Sequence, residues 1–200
     1  MPYSNREGDG LRSRSSKKLA LVALASAGIW LAGCPGTQTE EAAVPPPDPV
    51  ERGRYLVTVS ACNDCHTPAK MGPHGLEPDT TRMLSGHPED LVLEAPAASD
   101  GPWIWHGAAT KTAFAGPWGI SYATNLTPDE ETGFGIWTEE MFIEAIRTGA
   151  HMGRGRPIMP PMPWKSYGKM TDEDLRAIFA YLQSIPPIKN DVPEGLSADE

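Results

Sequence analysis

Cys62-Asn63-Asp64-Cys65-His66 is the stretch of this 200-residue chain best equipped for chemistry. Two thiols three positions apart, followed at once by an imidazole, form the attachment pattern of a c-type haem. Each thiol adds across one haem vinyl group to give a thioether, and the spacing puts both sulfurs on one turn. His66 then reaches the iron through one ring nitrogen. A bare C-x-x-C is shared with redox disulfides and zinc sites. The first wants a βαβ setting and the second another Cys/His pair. Neither stands near this motif in the sequence, and the adjoining histidine points to one covalent haem c.

Such a haem needs a ligand on its other side. Residues 151–167, HMGRGRPIMPPMPWKSY, hold Met152, Met159 and Met162 in a glycine- and proline-rich loop. Proline fixes backbone angles, so this loop suits holding a thioether against iron. Methionine with histidine also raises the reduction potential. Met162 is the first choice and Met159 the second, with His74, His87 and His106 as rivals. Arg154 and Arg156 are candidates for the haem propionates. Core packing remains the usual work of a methionine.

The N-terminus reads as an address. Arg6, Arg12, Arg14, Lys17 and Lys18 precede an uncharged run of 15 residues, Leu19 to Gly33. A membrane span needs about 20 residues, so a secretory signal is the better reading. The run ends Leu31-Ala32-Gly33-Cys34, which resembles the lipobox of bacterial lipoproteins, with cleavage before Cys34 and lipid on its sulfur. The expected parts are a signal peptide at 1–33, a proline-rich linker at 34–47, a domain at 48–190 and a loose acidic tail at 191–200. The net charge is −9, and from Cys34 onward 12 Lys and Arg face 24 Asp and Glu. That balance excludes nucleic acid as a partner, since phosphates need a basic surface. It fits a soluble domain whose partners are proteins.

Three helices must position the motifs. Asp48-Pro49 caps and opens the first, which runs to about Ala61 with Tyr55, Leu56 and Val59 on its apolar face. Gly53 inside it suggests close approach of another helix. Thr138 caps the second, Met141, Phe142, Ala145 and Ile146 form its buried stripe, and Gly149 ends it. Thr171-Asp172-Glu173-Asp174 opens the third, in which Leu175, Ile178, Phe179, Leu182 and Ile185 recur at helical spacing until Pro186-Pro187. Residues 67–119 are dense in turn signals. Leu91–Leu93 and Trp103–Trp105 are the only strand candidates there. Trp103, Trp105 and Trp118 suit packing, in a loop core or on the porphyrin edge.

Helix, CxxCH, loops, helix, methionine loop and final helix together resemble a class I cytochrome c. ATNLTPDEETGFGIWTEEMFIEAIRTG and PPMPWKSYGKMTDEDLRAIFAYLQSIPP are similar to the cytochrome domains of bacterial membrane alcohol and gluconate dehydrogenases. The resemblance covers about 50–66 and 116–188. It implies an all-α cytochrome c fold with a long, largely irregular insertion at 67–115. It also implies crossed first and last helices beside the haem, with Gly53 near Tyr181, and an axial methionine at Met162. A proline carbonyl accepting from the axial histidine is a further implication, and Pro117 is the candidate. Family members often carry three CxxCH motifs where this chain has one, and its His66 and Met162 stand 96 positions apart. The expected protein is an exported, lipid-anchored, single-haem electron carrier and not an enzyme by itself. It would sit on the periplasmic side of a bacterial membrane, between a dehydrogenase and a terminal acceptor. The alternative is a peroxidase-like haem protein with an open sixth site.

Overall fold

The structure is a computed structural model that describes residues 48–94, 96 and 102–198. The expected signal peptide, Cys34 and the linker lie outside the described residues.

Two helices cross at the centre. Helix α1 (Pro49–Val59) starts where the Asp48 carboxylate accepts from the Val50 and Glu51 amides, with Pro49 in the first turn, where its missing N–H is not needed. Its buried residues are Gly53, Leu56 and Val57. Helix α5 (Asp172–Ser184) starts where Thr171 Oγ1 accepts from the Asp174 amide at 3.1 Å. Three carboxylates in its first turn meet the positive end of the helix dipole. Its buried stripe is Leu175, Ala177, Ile178, Phe179 and Leu182. The helices approach so closely at Gly53 that a Cβ there would lie 1.9 Å from the Ala177 carbonyl oxygen and 2.7 Å from Tyr181 Cβ. Beside the crossing, Arg52 donates to Asp174 Oδ1 at 2.9 and 3.0 Å.

The short helix α2 (Cys62–His66) carries the CxxCH residues directly after α1. Helix α3 (Glu139–Thr148) is capped by Thr138 and closed by Gly149 in the left-handed conformation. It packs on α5 through Phe142 and Phe179, whose rings lie 5.6 Å apart. Helix α4 (Trp164–Tyr167) is a single turn, tied down by the Tyr167 hydroxyl donating to the Ser60 carbonyl at 2.6 Å.

The all-α part of the expected fold needs correction, because the described residues include short strands. Strands β1 (Ala69–Gly72) and β2 (Gly75–Pro78) form an antiparallel hairpin. Strands β3 (His106–Gly107), β4 (Ala113–Gly116), β5 (Gly119–Tyr122) and β6 (Leu196–Ser197) form an antiparallel sheet in that order. They escaped a sequence reading because each has two to four residues, too few for an alternating pattern to declare itself. The two expected strands are not strands. Leu93 instead donates its amide to the Tyr122 hydroxyl, and Trp103–Trp105 only leads into β3. Leu196–Ser197, expected in a loose tail, pairs with β5. Gly119 at φ +97° makes that pairing possible, because a Cβ would sit 1.9 Å from the Leu196 oxygen.

Candidate haem site

One apolar cavity of about 200 Å³ gathers the residues singled out by the sequence. Cys62, Cys65, His66, Arg156, Met159 and Met162 all line it. Val57 of α1, Phe142, Ala145 and Ile146 of α3, and Leu175, Ile178 and Leu182 of α5 supply apolar wall. The helical stripes that bury the core therefore also shape the cavity.

Helix α2 presents the motif. Ala61 in the left-handed conformation separates it from α1, so Cys62 to His66 start a new turn. The His66 imidazole is buried, and its Nδ1 lies 2.8 Å from the Thr124 carbonyl oxygen. A carbonyl only accepts, so Nδ1 carries the proton and Nε2 keeps its lone pair. Burial pushes the His66 pKa down, which favours the neutral ring, with the Thr124 carbonyl opposing more weakly. A neutral imidazole oriented through its other nitrogen is the form that ligates a metal.

The cysteines are not poised as redox nucleophiles. Burial pushes the Cys62 thiol up to about 11. Cys65 is raised as well, by burial and then by Asp64. Reactive CxxC pairs show the reverse shift. Among the described residues no cluster of three or more His, Cys, Asp or Glu side chains completes a zinc site. The walls, the two thiols and the half-engaged imidazole fit a covalent haem.

The methionine loop is braced at several points. The Ile158 amide donates to the Gly149 carbonyl at 2.7 Å, and the Ser121 hydroxyl donates to the Pro160 carbonyl at 2.5 Å. The Trp164 amide donates to the Met162 carbonyl at 2.9 Å. Met162 also packs, half-buried, against the hydrophobic core.

Other expectations fare differently. Pro117 does not serve His66: it is exposed in the β4–β5 turn, and Thr124, beyond the far end of β5, supplies the carbonyl. No side-chain signal could have marked Thr124, because only its backbone acts. Arg154 and Arg156 are both exposed, and of the two Arg156 lines the cavity. His74 and His106 are exposed. His87 is fully buried, 4.5 Å from the Tyr122 ring, with both nitrogens engaged by Thr112 Oγ1 and the Leu91 carbonyl. It has no lone pair left for iron. His151 was not anticipated: it lines the cavity with its ring edge-on to Trp137.

Burial also lowers the His87 pKa, so its stability contribution has a definite sign. The unfolded chain binds that proton more tightly than the fold does. Stability is therefore complete above the ordinary imidazole pKa and falls as pH drops through it toward the folded value. The expected loss from this one group is at most about 1.4 kcal/mol per pH unit below roughly 6.5. Thermal melts between pH 7 and 5 should show a shallower decline in His87→Gln than in the parent. Parallel declines would refute it.

Comparison with known proteins agrees with this geometry. The chain is 37% identical over 154 residues to the gluconate 2-dehydrogenase cytochrome c subunit of Pantoea cypripedii, covering 74% of this chain and 27% of that one. It is 30% identical over 181 residues to a nicotinate dehydrogenase subunit of Pseudomonas putida, covering 87% and 12%. It is 27% identical over 146 residues to the fructose dehydrogenase cytochrome subunit of Gluconobacter japonicus, covering 72% and 23%. The chain thus spans about a quarter or less of these relatives' lengths. Residues 50–186 match the family described as Cytochrome c. With the thiols, the neutral imidazole and the methionine loop around one apolar cavity, this match places the chain in the cytochrome c family, whose members carry covalent haem c.

Proposed function

We propose that this chain is an exported, lipid-anchored, single-haem electron carrier, working between a dehydrogenase and a terminal acceptor. The observation that carries the reading is the convergence of Cys62, Cys65, His66 and Met162 on one apolar cavity. Cys62 and Cys65 would hold the haem by thioethers, and His66 Nε2 and Met162 Sδ would ligate its iron, with Met159 the second choice. When bound, the haem supplies a one-electron ferrous/ferric couple. The chain's part is to exclude water, fix the imidazole through Thr124 and lower the dielectric around the iron. Arg156 at the cavity wall would meet a propionate. Relatives named as cytochrome subunits of gluconate and fructose dehydrogenases support a dehydrogenase as electron donor. Lipid on Cys34 would place the carrier on the periplasmic side of a bacterial membrane. Among the described residues no helix is long and apolar enough to cross one.

The test is expression in a host that matures c-type cytochromes. The parent should fractionate with membranes and give a pyridine haemochrome with two thioethers after denaturation. Cys62→Ser/Cys65→Ser protein should lose essentially all haem to acidic solvent extraction, and Cys34→Ala should release the holoprotein from membranes. A parent with only polypeptide mass and no red colour overturns the reading. A holoprotein whose fractionation ignores Cys34 overturns the lipid anchor alone.

A further inference from the structure

The segment between the haem motif and the second long helix has a use that its irregular sequence hides. We propose that residues 84–87, clamped by the Asn190 side chain, are a positioning element for His66. They hold the Thr124 carbonyl in place against its imidazole. This rests on the reading of His66 as an iron ligand.

The segment touches both partners of the His66–Thr124 hydrogen bond. On one side, the Gly86 amide donates to the His66 carbonyl at 2.8 Å. On the other, it grips the chain before and after Thr124. The His87 amide donates to the Ala123 carbonyl at 2.8 Å, and the Leu126 amide donates to the Leu84 carbonyl at 2.9 Å. Gly86 is pressed against the peptide that carries the acceptor. A Cβ there would lie 2.5 Å from the Ala123 oxygen, 2.6 Å from the Thr124 carbonyl carbon and 2.8 Å from the Asn125 nitrogen. Its φ of +81° excludes side chains independently. Leu84 begins the segment by donating its amide to Thr67 Oγ1 at 2.9 Å, so the residue next to His66 is tied in as well.

Asn190 locks this arrangement from behind. It is fully buried and far away in sequence. Its Nδ2 donates to the Ser85 carbonyl at 2.7 Å and the His87 carbonyl at 2.8 Å. Its Oδ1 accepts from Arg82 Nη2 at 2.7 Å and the Glu89 amide at 3.1 Å. One amide side chain thus uses its full hydrogen-bonding capacity on residues 82–89. The chain of support runs from Asn190 through residues 84–87 and the Thr124 carbonyl to the imidazole.

The consequence is electronic as well as mechanical. An imidazole that donates its Nδ1–H to a fixed carbonyl is a more basic ligand. Basic ligands stabilise ferric iron, so loosening the carbonyl should raise the reduction potential.

Asn190→Ala and Gly86→Ala test this in the holoprotein, with Phe179→Leu as a control. Phe179 is buried in the α3–α5 contact and does not line the cavity. Both test variants should exchange the His66 Nδ1 proton about tenfold faster than the parent in paramagnetic proton NMR, the effect of losing roughly one net hydrogen bond. Both should also show a raised potential. The control should melt earlier with potential and exchange unchanged. Either test variant that folds is sufficient. Exchange and potential equal to the control's, at comparable loss of melting temperature, overturn the proposal. A parent without a haemochrome overturns the underlying reading instead, and is recognised before any variant is made.

Discussion

Replacing Met162 with alanine is expected to abolish the weak far-red charge-transfer band of the oxidised protein and to lower its reduction potential sharply. A thioether opposite histidine favours ferrous iron, so its loss should move the potential by a sizeable part of the ~0.8 V span that axial ligands command. The variant should also bind cyanide or imidazole rapidly, which the parent should not. Met162 is favoured over Met159 on packing. Both line the cavity, but only Met162 is also anchored against the hydrophobic core. The loop around it is held at the Gly149, Pro160 and Met162 carbonyls. Losing one side chain should therefore open the iron without unravelling the loop. The same spectral loss in Met159→Ala, with Met162→Ala silent, would transfer the assignment to Met159. Rapid cyanide binding by the unmodified protein would favour a catalytic haem with an open site.

Gly53→Ala should destabilise the fold by about 3 kcal/mol or more, lowering the melting temperature by roughly 10 °C. Local propensity argues the other way. Alanine is the better helix former by about 1 kcal/mol, so an exposed site would gain. The helix crossing reverses the sign. The new methyl would have to occupy space 1.9 Å from a backbone oxygen of α5, and backbone cannot move aside as a flexible side chain can. The helices must part, and the packing of Val57 and Leu56 against α5 goes with them. A thermal melt of holoprotein decides the matter, and a variant as stable as the parent would show that the crossing is looser than described.

The three long helices were legible because their signals are local. Asp48, Thr138 and Thr171 each cap within three residues of the amide they serve. Apolar residues recur at helical spacing along α5, and Gly149 stands where α3 must stop. The strands were not legible. Gly116 and Gly119 flank a two-residue turn between strands of four residues, and β6 pairs with β5 across more than seventy positions. Nothing in the composition of Leu196-Ser197 announces that partner.

The candidate site divides the same way. By itself the sequence pointed to the chemistry: two thiols and an imidazole within five residues, a methionine among prolines, and buried helical stripes. These depend on residue type and short spacing, which a linear chain displays directly. Only the tertiary structure decided what holds His66. Its acceptor is a backbone carbonyl 58 residues away, and the support behind that carbonyl comes from Gly86 and Asn190. Backbone groups are the same at every residue, so their partners follow from how the chain packs and not from which side chain a position bears.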